Sequence, residues 1–155
     1  MQHFERIRGS YVLSSNPGRM DIAAIHNFLK SSYWSKDIPR EIVERAVTNS
    51  LSFGIFHENE QIGFARVITD KATFAYLCDV YVLESYRGQG LGSWLMESVM
   101  QHPEMQSLRR FGLVTKDAHE LYRRFGFSEL KNPAGHMEIH HPDIYCSHKL
   151  LDGKG

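Results

Sequence analysis

Residues Leu77 to Met100 read L-C-D-V-Y-V-L-E-S-Y-R-G-Q-G-L-G-S-W-L-M-E-S-V-M, and this stretch decides the fold. An apolar, strand-like run ends near Leu83, glycines alternate at Gly88, Gly90 and Gly92, and a helical spacing begins with Leu91, Leu95 and Val99. A strand therefore delivers a glycine loop to the start of a helix. Glycine reaches positive φ and carries no Cβ, so successive backbone N–H groups can converge on one concavity. The helix that follows adds its own unpaired amides and the positive end of its dipole, a combination suited to a diphosphate.

Two familiar nucleotide loops fail on residues. A Walker A loop needs Gly-Lys-Ser/Thr at the helix start, but Gly92 is followed by Ser93 and Trp94. The dinucleotide fingerprint G-x-G-x-x-G opens a βαβ unit, whereas this loop reads G-x-G-x-G and lies past the middle of the chain. A second motif follows at Thr115 to Phe127, T-K-D-A-H-E-L-Y-R-R-F-G-F. Ala118, Leu121, Tyr122 and Phe125 fall on one face of a short helix, and Gly126 stops it. With Arg87-Gly88-Gln89-Gly90-Leu91-Gly92 matching R/Q-x-x-G-x-G/A and this second stretch matching A-x-x-L-Y followed by G-F, the chain resembles the GNAT superfamily, the acyl-CoA-dependent N-acetyltransferases, over roughly Gly54 to Leu130. Glu84 and Thr115 stand where that family commonly carries Pro and Asn.

Composition bounds the alternatives. With 155 residues, the expectation is a single domain over 1–155. Lys plus Arg number 18 and Asp plus Glu 18, so no global field recruits nucleic acid or an anionic membrane. No apolar run approaches the ~20 residues of a membrane span, and Met1 to Glu5 lacks the features of a signal peptide. Two cysteines, Cys78 and Cys146, make no disulfide scaffold. A cytoplasmic protein is expected.

In chain order, Tyr11-Val12-Leu13 reads as a first strand, and Ile22, Ile25, Phe28 and Leu29 as a helix opened by Asp21. Tyr33 and Trp34 follow that helix, either facing a substrate or covering the edge of the core. Pro39 fits the first turn of a second helix. Leu51 to Ile55 and Ile62 to Thr69 make a hairpin about Glu58-Asn59-Glu60, and Phe74 begins the central strand. Strict alternation would put Phe74, Tyr76, Cys78, Val80 and Val82 on one face of it and Ala75, Leu77, Asp79 and Tyr81 on the other. Phe111 to Val114, Phe127 to Leu130 and His136 to His140 supply further strands. The expected fold class is α+β, a mixed and mostly antiparallel sheet flanked by helices.

The resemblance implies acetyl transfer from acetyl-CoA to a primary amine, on a small molecule or a protein, with a non-catalytic acyl-CoA-binding domain as the alternative. Arg87, Gly88, Gln89, Gly90, Leu91, Gly92 and Ser93 would cradle the cofactor, Val80 and Val82 would offer it backbone amides, and Thr115 takes the place of an Asn contact to its arm. Tyr122 matches the tyrosine that protonates the departing thiolate. Tyr76 occupies about the place from which relatives project a basic residue. Asp79, a carboxylate in an apolar strand, has two readings: the route for the amine proton, or a structural hydrogen bond to a neighbouring loop. His136, Glu138 and His140 share a strand face, but H-E-x-x-H is absent and no metal is expected. The identity of the acceptor and the oligomeric state have no readable code.

Overall fold

The central strand forms where the apolar run predicts it, and its neighbours are organised on it. In the computed structural model, which describes residues 3–146, one sheet has the strand order β1-β2-β3-β4-β5-β6. The strands are β1 Glu5–Arg8, β2 Tyr11–Ser14, β3 Leu51–His57, β4 Glu60–Thr69, β5 Phe74–Val82 and β6 Arg110–Leu113. Each of the first five pairs antiparallel with the next, except that β6 runs parallel to β5. The helices are α1 Ile22–Leu29, α2 Arg40–Thr48, α3 Leu91–Gln101 and α4 His119–Arg123. The expected α+β architecture is the one observed.

Two apolar cores cover the two faces of the sheet. On one, Leu91, Trp94, Leu95, Met96 and Val99 of α3 pack with Phe53, Ile55, Ile62, Ala65, Val67, Ala75, Leu77 and Tyr122. On the other, Ile25 and Leu29 of α1 and Val43 and Val47 of α2 pack on Phe64 and Tyr81. Asp21 caps α1, its carboxylate accepting the Ala24 N–H at 3.1 Å. Pro39 is the N-cap of α2 rather than a first-turn residue.

Three expectations need correction. The first strand is a hairpin of two, because Gly9 turns left-handed (φ 59) between β1 and β2. The alternation along β5 breaks at Asp79, which is left-handed (φ 53) where the β4 register slips between Phe64 and Arg66. This is a bulge, and one extra residue reverses every later side chain. Val80 and Val82 therefore pack toward the α3 core with Leu77, while Tyr81 enters the α1–α2 core. Left-handed backbone at a residue with a Cβ costs about 1–2 kcal/mol, so something must hold it.

The third correction is at the C-terminal end. Neither Phe127 to Leu130 nor His136 to His140 forms a strand. The Phe127 N–H is spent on the Tyr122 carbonyl at 3.2 Å in closing α4, Arg123 ties Glu129 back to Glu120, and Pro133–Gly135 makes a short helical turn. A strand pattern forms a strand only if a neighbouring edge takes up its backbone groups.

His102 follows α3 and sits between Phe4 and Phe53 (ring centroids 5.3 and 5.5 Å), 7% exposed. Its Nδ1 accepts the Glu104 N–H at 3.1 Å. Burial lowers its pKa, with Glu104 acting in the opposite sense. The folded chain therefore takes up this proton at lower pH than the unfolded chain, whose imidazole titrates near ~6.5. Below that pH the unfolded state binds more protons, and stability falls. Urea unfolding from about pH 7.5 to about 5 should show a declining midpoint, and His102→Gln should remove this component of the decline.

Candidate active site

β5 and β6 pair over only part of their length. Phe74 to Leu77 match Arg110 to Leu113 in register, but β5 continues to Val82 without a β6 partner. The two strands thus open a cleft. Leu83 donates its N–H to Ile62 of β4 at 2.8 Å. Successive residues of a strand point their amides to opposite sides, so the Val82 N–H, and that of Val80 two residues back, face the open side. Val80 and Val82 are half-buried on one lip, and Leu113, Ala118, Leu121, Tyr122 and Phe125 stand toward the same core on the other.

The glycine loop closes the far end of this cleft. A helical turn at Glu84–Tyr86 leaves β5, and Gly90 adopts φ 77, ψ 13 as the N-cap of α3 with no side chain capping the helix. The Trp94 N–H is the first in α3 to reach a backbone carbonyl, that of Gly90 at 3.0 Å. The amides of Leu91, Gly92 and Ser93 are the helix's unpaired donors. Arg87 folds back and donates from Nε to the Val82 carbonyl at 2.8 Å. The β1–β2 hairpin supports the loop from outside: Arg8 donates to the Gly90 carbonyl at 3.4 Å, and the Tyr11 hydroxyl to Gln89 Oε1 at 3.1 Å. Sequence reading missed these two contacts because hairpin and loop are about eighty residues apart.

Asp79 lies at the mouth of the cleft with both carboxylate oxygens engaged. Arg66 Nε donates to Oδ2 and Trp34 Nε1 to Oδ1, each at 2.8 Å. The Arg66 and Asp79 side chains are 16% and 9% exposed. Burial works against the Arg66 charge, and Asp79 together with Cys78 and Tyr145 more than offsets it, leaving the guanidinium pKa raised. A hydrogen bond to a charged group contributes about 1.5–3 kcal/mol, comparable with the cost of the left-handed backbone it secures. Of the two readings of Asp79, the bond to a neighbouring loop is present. Trp34 is 41% and Tyr33 64% exposed, their rings meeting edge to face at 5.1 Å. Lys116 Nζ stands 5.2 Å from the Tyr33 ring centroid, so the α1–α2 connection reaches both lips of the cleft.

Tyr122 is buried at 9% exposure, and its phenol pKa is raised by burial and by the neighbouring Tyr33. It is held by the short helix the motif predicts, though the helical residues are only His119–Arg123. Thr115 prepares that helix: its Oγ1 accepts the Ala118 N–H at 3.0 Å. Tyr76 is half-buried on β5, with its pKa raised by burial and by Cys78, Asp79 and Glu138. Among the described residues, no group of three or more His, Cys, Asp or Glu is placed to hold a metal ion.

Comparison with known proteins places this geometry. Residues 48–129 match the family model described as an acetyltransferase (GNAT) domain. A Gibberella zeae protein named for acetyltransferase activity is 31% identical over 136 residues, which are 74% of this chain and 77% of that protein. A solved structure from Xanthomonas campestris pv. campestris, assigned to the GNAT family, is 47% identical with a TM-score of 0.86, covering 88% of this chain and 96% of that one. A GNAT family acetyltransferase from Elizabethkingia anophelis, solved with acetyl-CoA bound, shares the fold at 17% identity and a TM-score of 0.61, over 86% and 90% of the two chains.

Cys78 lies beside the Arg66–Asp79 pair. Burial, eased by Arg66 and reinforced by Asp79, pushes its thiol up to about 12, so at neutral pH it is not a thiolate. Cys146 is exposed. Iodoacetamide at pH 7.5 should alkylate Cys146 and spare Cys78 until denaturant is added, as peptide mass mapping would report. Fast labelling of Cys78 in the folded chain would contradict its burial.

Proposed function

We propose roles for the cleft residues on one premise: the chain belongs to the GNAT acetyltransferase family and is an acetyl-CoA-dependent N-acetyltransferase. The observation that carries the assignment is the open edge of β5, ending in a glycine turn whose following helix has unpaired amides. The diphosphate of acetyl-CoA lies on the loop from Arg87 through Gly88, Gln89, Gly90, Leu91 and Gly92 to Ser93, where fixed N–H groups meet negative charge. The pantetheine arm runs along β5 as an extra strand and bonds the amides of Val80 and Val82. The acetyl-CoA bound by the Elizabethkingia relative supports a ligand of this kind in this fold.

In the chemical step the amine nitrogen attacks the thioester carbonyl carbon, the C–S bond breaks, and the thiolate leaves. The Val80 amide polarises the carbonyl; a donor of this kind contributes about 2.7–4 kcal/mol. Tyr122 gives its proton to the thiolate. Its raised pKa keeps it protonated at neutral pH, transfer to a thiolate whose acid has pKa ~8.5 is uphill, and the proton shed by the nitrogen as the C–N bond forms restores the Tyr122 phenol through water. An alkylamine of pKa ~10.4 is neutral in only about one part in 2,500 at pH 7, and its proton leaves through water at the cleft mouth. Tyr76 is protonated at that pH and orients the acceptor rather than taking its proton. Thr115 keeps its hydroxyl hydrogen to donate to the cofactor arm while its oxygen caps α4.

Tyr33 and Trp34 border the acceptor, a primary amine of a small molecule or protein. Balanced charge gives no support to a nucleic-acid partner, and we place the reaction in the cytoplasm. No helix among the described residues is long and apolar enough to cross a membrane.

Gly90→Glu should abolish acetyl-CoA binding in calorimetry, because it puts a Cβ on left-handed backbone that the turn requires and a negative charge beside the amides that take the diphosphate. Tight binding by this variant would remove the cradle assignment. Tyr122→Phe should leave acetyl-CoA affinity within about twofold and slow amine-dependent thiol release by about a hundredfold; an undiminished single-turnover rate would assign the acid elsewhere.

A further inference from the structure

The geometry points to Asp79 as a positioning residue that locks the connection between α1 and α2 onto the β5 bulge, making the acceptor loop and the thioester-polarising backbone one mechanical unit. This role presupposes the assignment of Val80 as a polarising amide. One carboxylate oxygen holds Arg66 and the other holds Trp34. Arg66 also donates to Ser50 Oγ at 3.1 Å, and Ser50 donates to the Ala46 carbonyl of α2 at 2.6 Å. The α1–α2 unit thus returns to one carboxylate twice, from the end of α2 through Ser50 and Arg66 and from the connection through Trp34.

The indole is gripped a second time through its ring. Phe28 of α1 lies 6.3 Å from Trp34, centroid to centroid, and stacks flat on Tyr81 at 3.8 Å with an 8° interplanar angle. Trp34 is therefore tied to residue 79 by its N–H and, through Phe28, to residue 81 by its ring, the two residues that flank Val80. A shift of the acceptor loop bears directly on the amide between them. Tyr33 is 64% exposed and meets Lys116 on the opposite lip. The loop is thus held at Trp34 by a hydrogen bond and a ring contact, while Tyr33 beside it is the more exposed of the two.

This arrangement opposes the reading of Asp79 as the general base. Its charge is committed to Arg66, and each of its oxygens already accepts a donor.

Two variants cut the two arms of the latch separately. Trp34→Phe keeps a ring against Phe28 and deletes the N–H; Asp79→Asn keeps an oxygen for the indole and deletes the ion pair. In the full chain, hydrogen exchange would be followed over residues 31–38 and 78–83, with acetyl-CoA affinity by calorimetry. Thiol release with phenethylamine, spermidine and L-lysine would be followed across pH. Trp34→Phe should speed exchange about tenfold in both segments and raise the KM of a reacting amine about tenfold, the scale of one hydrogen bond to a charged group, with acetyl-CoA affinity nearly unchanged. Asp79→Asn should speed exchange over residues 78–83, which the ion pair holds, and keep the shape of the pH profile. Unchanged exchange over 78–83 in Trp34→Phe overturns the coupling, whichever amines react. Turnover slowed by about a hundredfold or more in Asp79→Asn, with loss of the acid limb of the profile, makes Asp79 the base instead. Failure of the wild-type chain to bind acetyl-CoA would strike the acetyltransferase assignment itself, while the exchange measurement would still decide whether loop and bulge are coupled.

Discussion

The ion pair between Arg66 and Asp79 is the constraint on which the rest of the cleft depends. An extra residue in the middle of β5 is unfavourable locally, since it places a residue with a Cβ at φ 53 and slips the pairing with β4. The guanidinium on β4 holds that residue in place from 2.8 Å. Once the bulge is held, Val80 and Val82 turn to the α3 side, Tyr81 turns to the α1 side, and β5 leaves β6 after Leu77. A regular β5 would present the opposite side-chain faces beyond residue 79. The side-chain pair thus decides which side chains line the open edge.

Most of the architecture was legible because it is written in short periods. The apolar run into Gly88, the Asp21 cap, the hairpin about Glu58-Asn59 and the stop at Gly126 are signals within a few residues of the structures they make. The GNAT resemblance drew on two such signals, the glycine loop and the Ala118 to Phe127 stretch, and the fold agrees with it.

What sequence reading missed is non-local. Period-two alternation assumes an uninterrupted strand, and the interruption at Asp79 is fixed by Arg66 thirteen residues away and Trp34 forty-five residues away. The single local hint was a carboxylate between apolar neighbours, which announces that a partner exists without naming it. Phe127 to Leu130 and His136 to His140 fail in the opposite way. Their spacing suits strands, but strand formation needs an adjacent edge, and the first of the two has its leading amide drawn into the closure of α4. Thr115 appeared as a departure from a family position, while its hydroxyl oxygen serves the start of α4.

The balance of 18 basic and 18 acidic side chains is compatible with an anionic cofactor because the donors assigned to it are mainly backbone amides. Their fields are dipolar and fall off within about a turn of helix, so they contribute little to attraction at a distance and much to recognition at contact. The two guanidiniums at the loop are oriented by carbonyls, Arg8 by Gly90 and Arg87 by Val82, and they stiffen the turn as well as adding charge beside it. Recognition of this kind is set by the path of the backbone. A side chain at Gly90 would meet Arg8 at an ordinary 3.8 Å, so space is not what excludes it. The left-handed φ of 77 is what favours glycine there, and that conformation aims the first amides of α3 at the cleft.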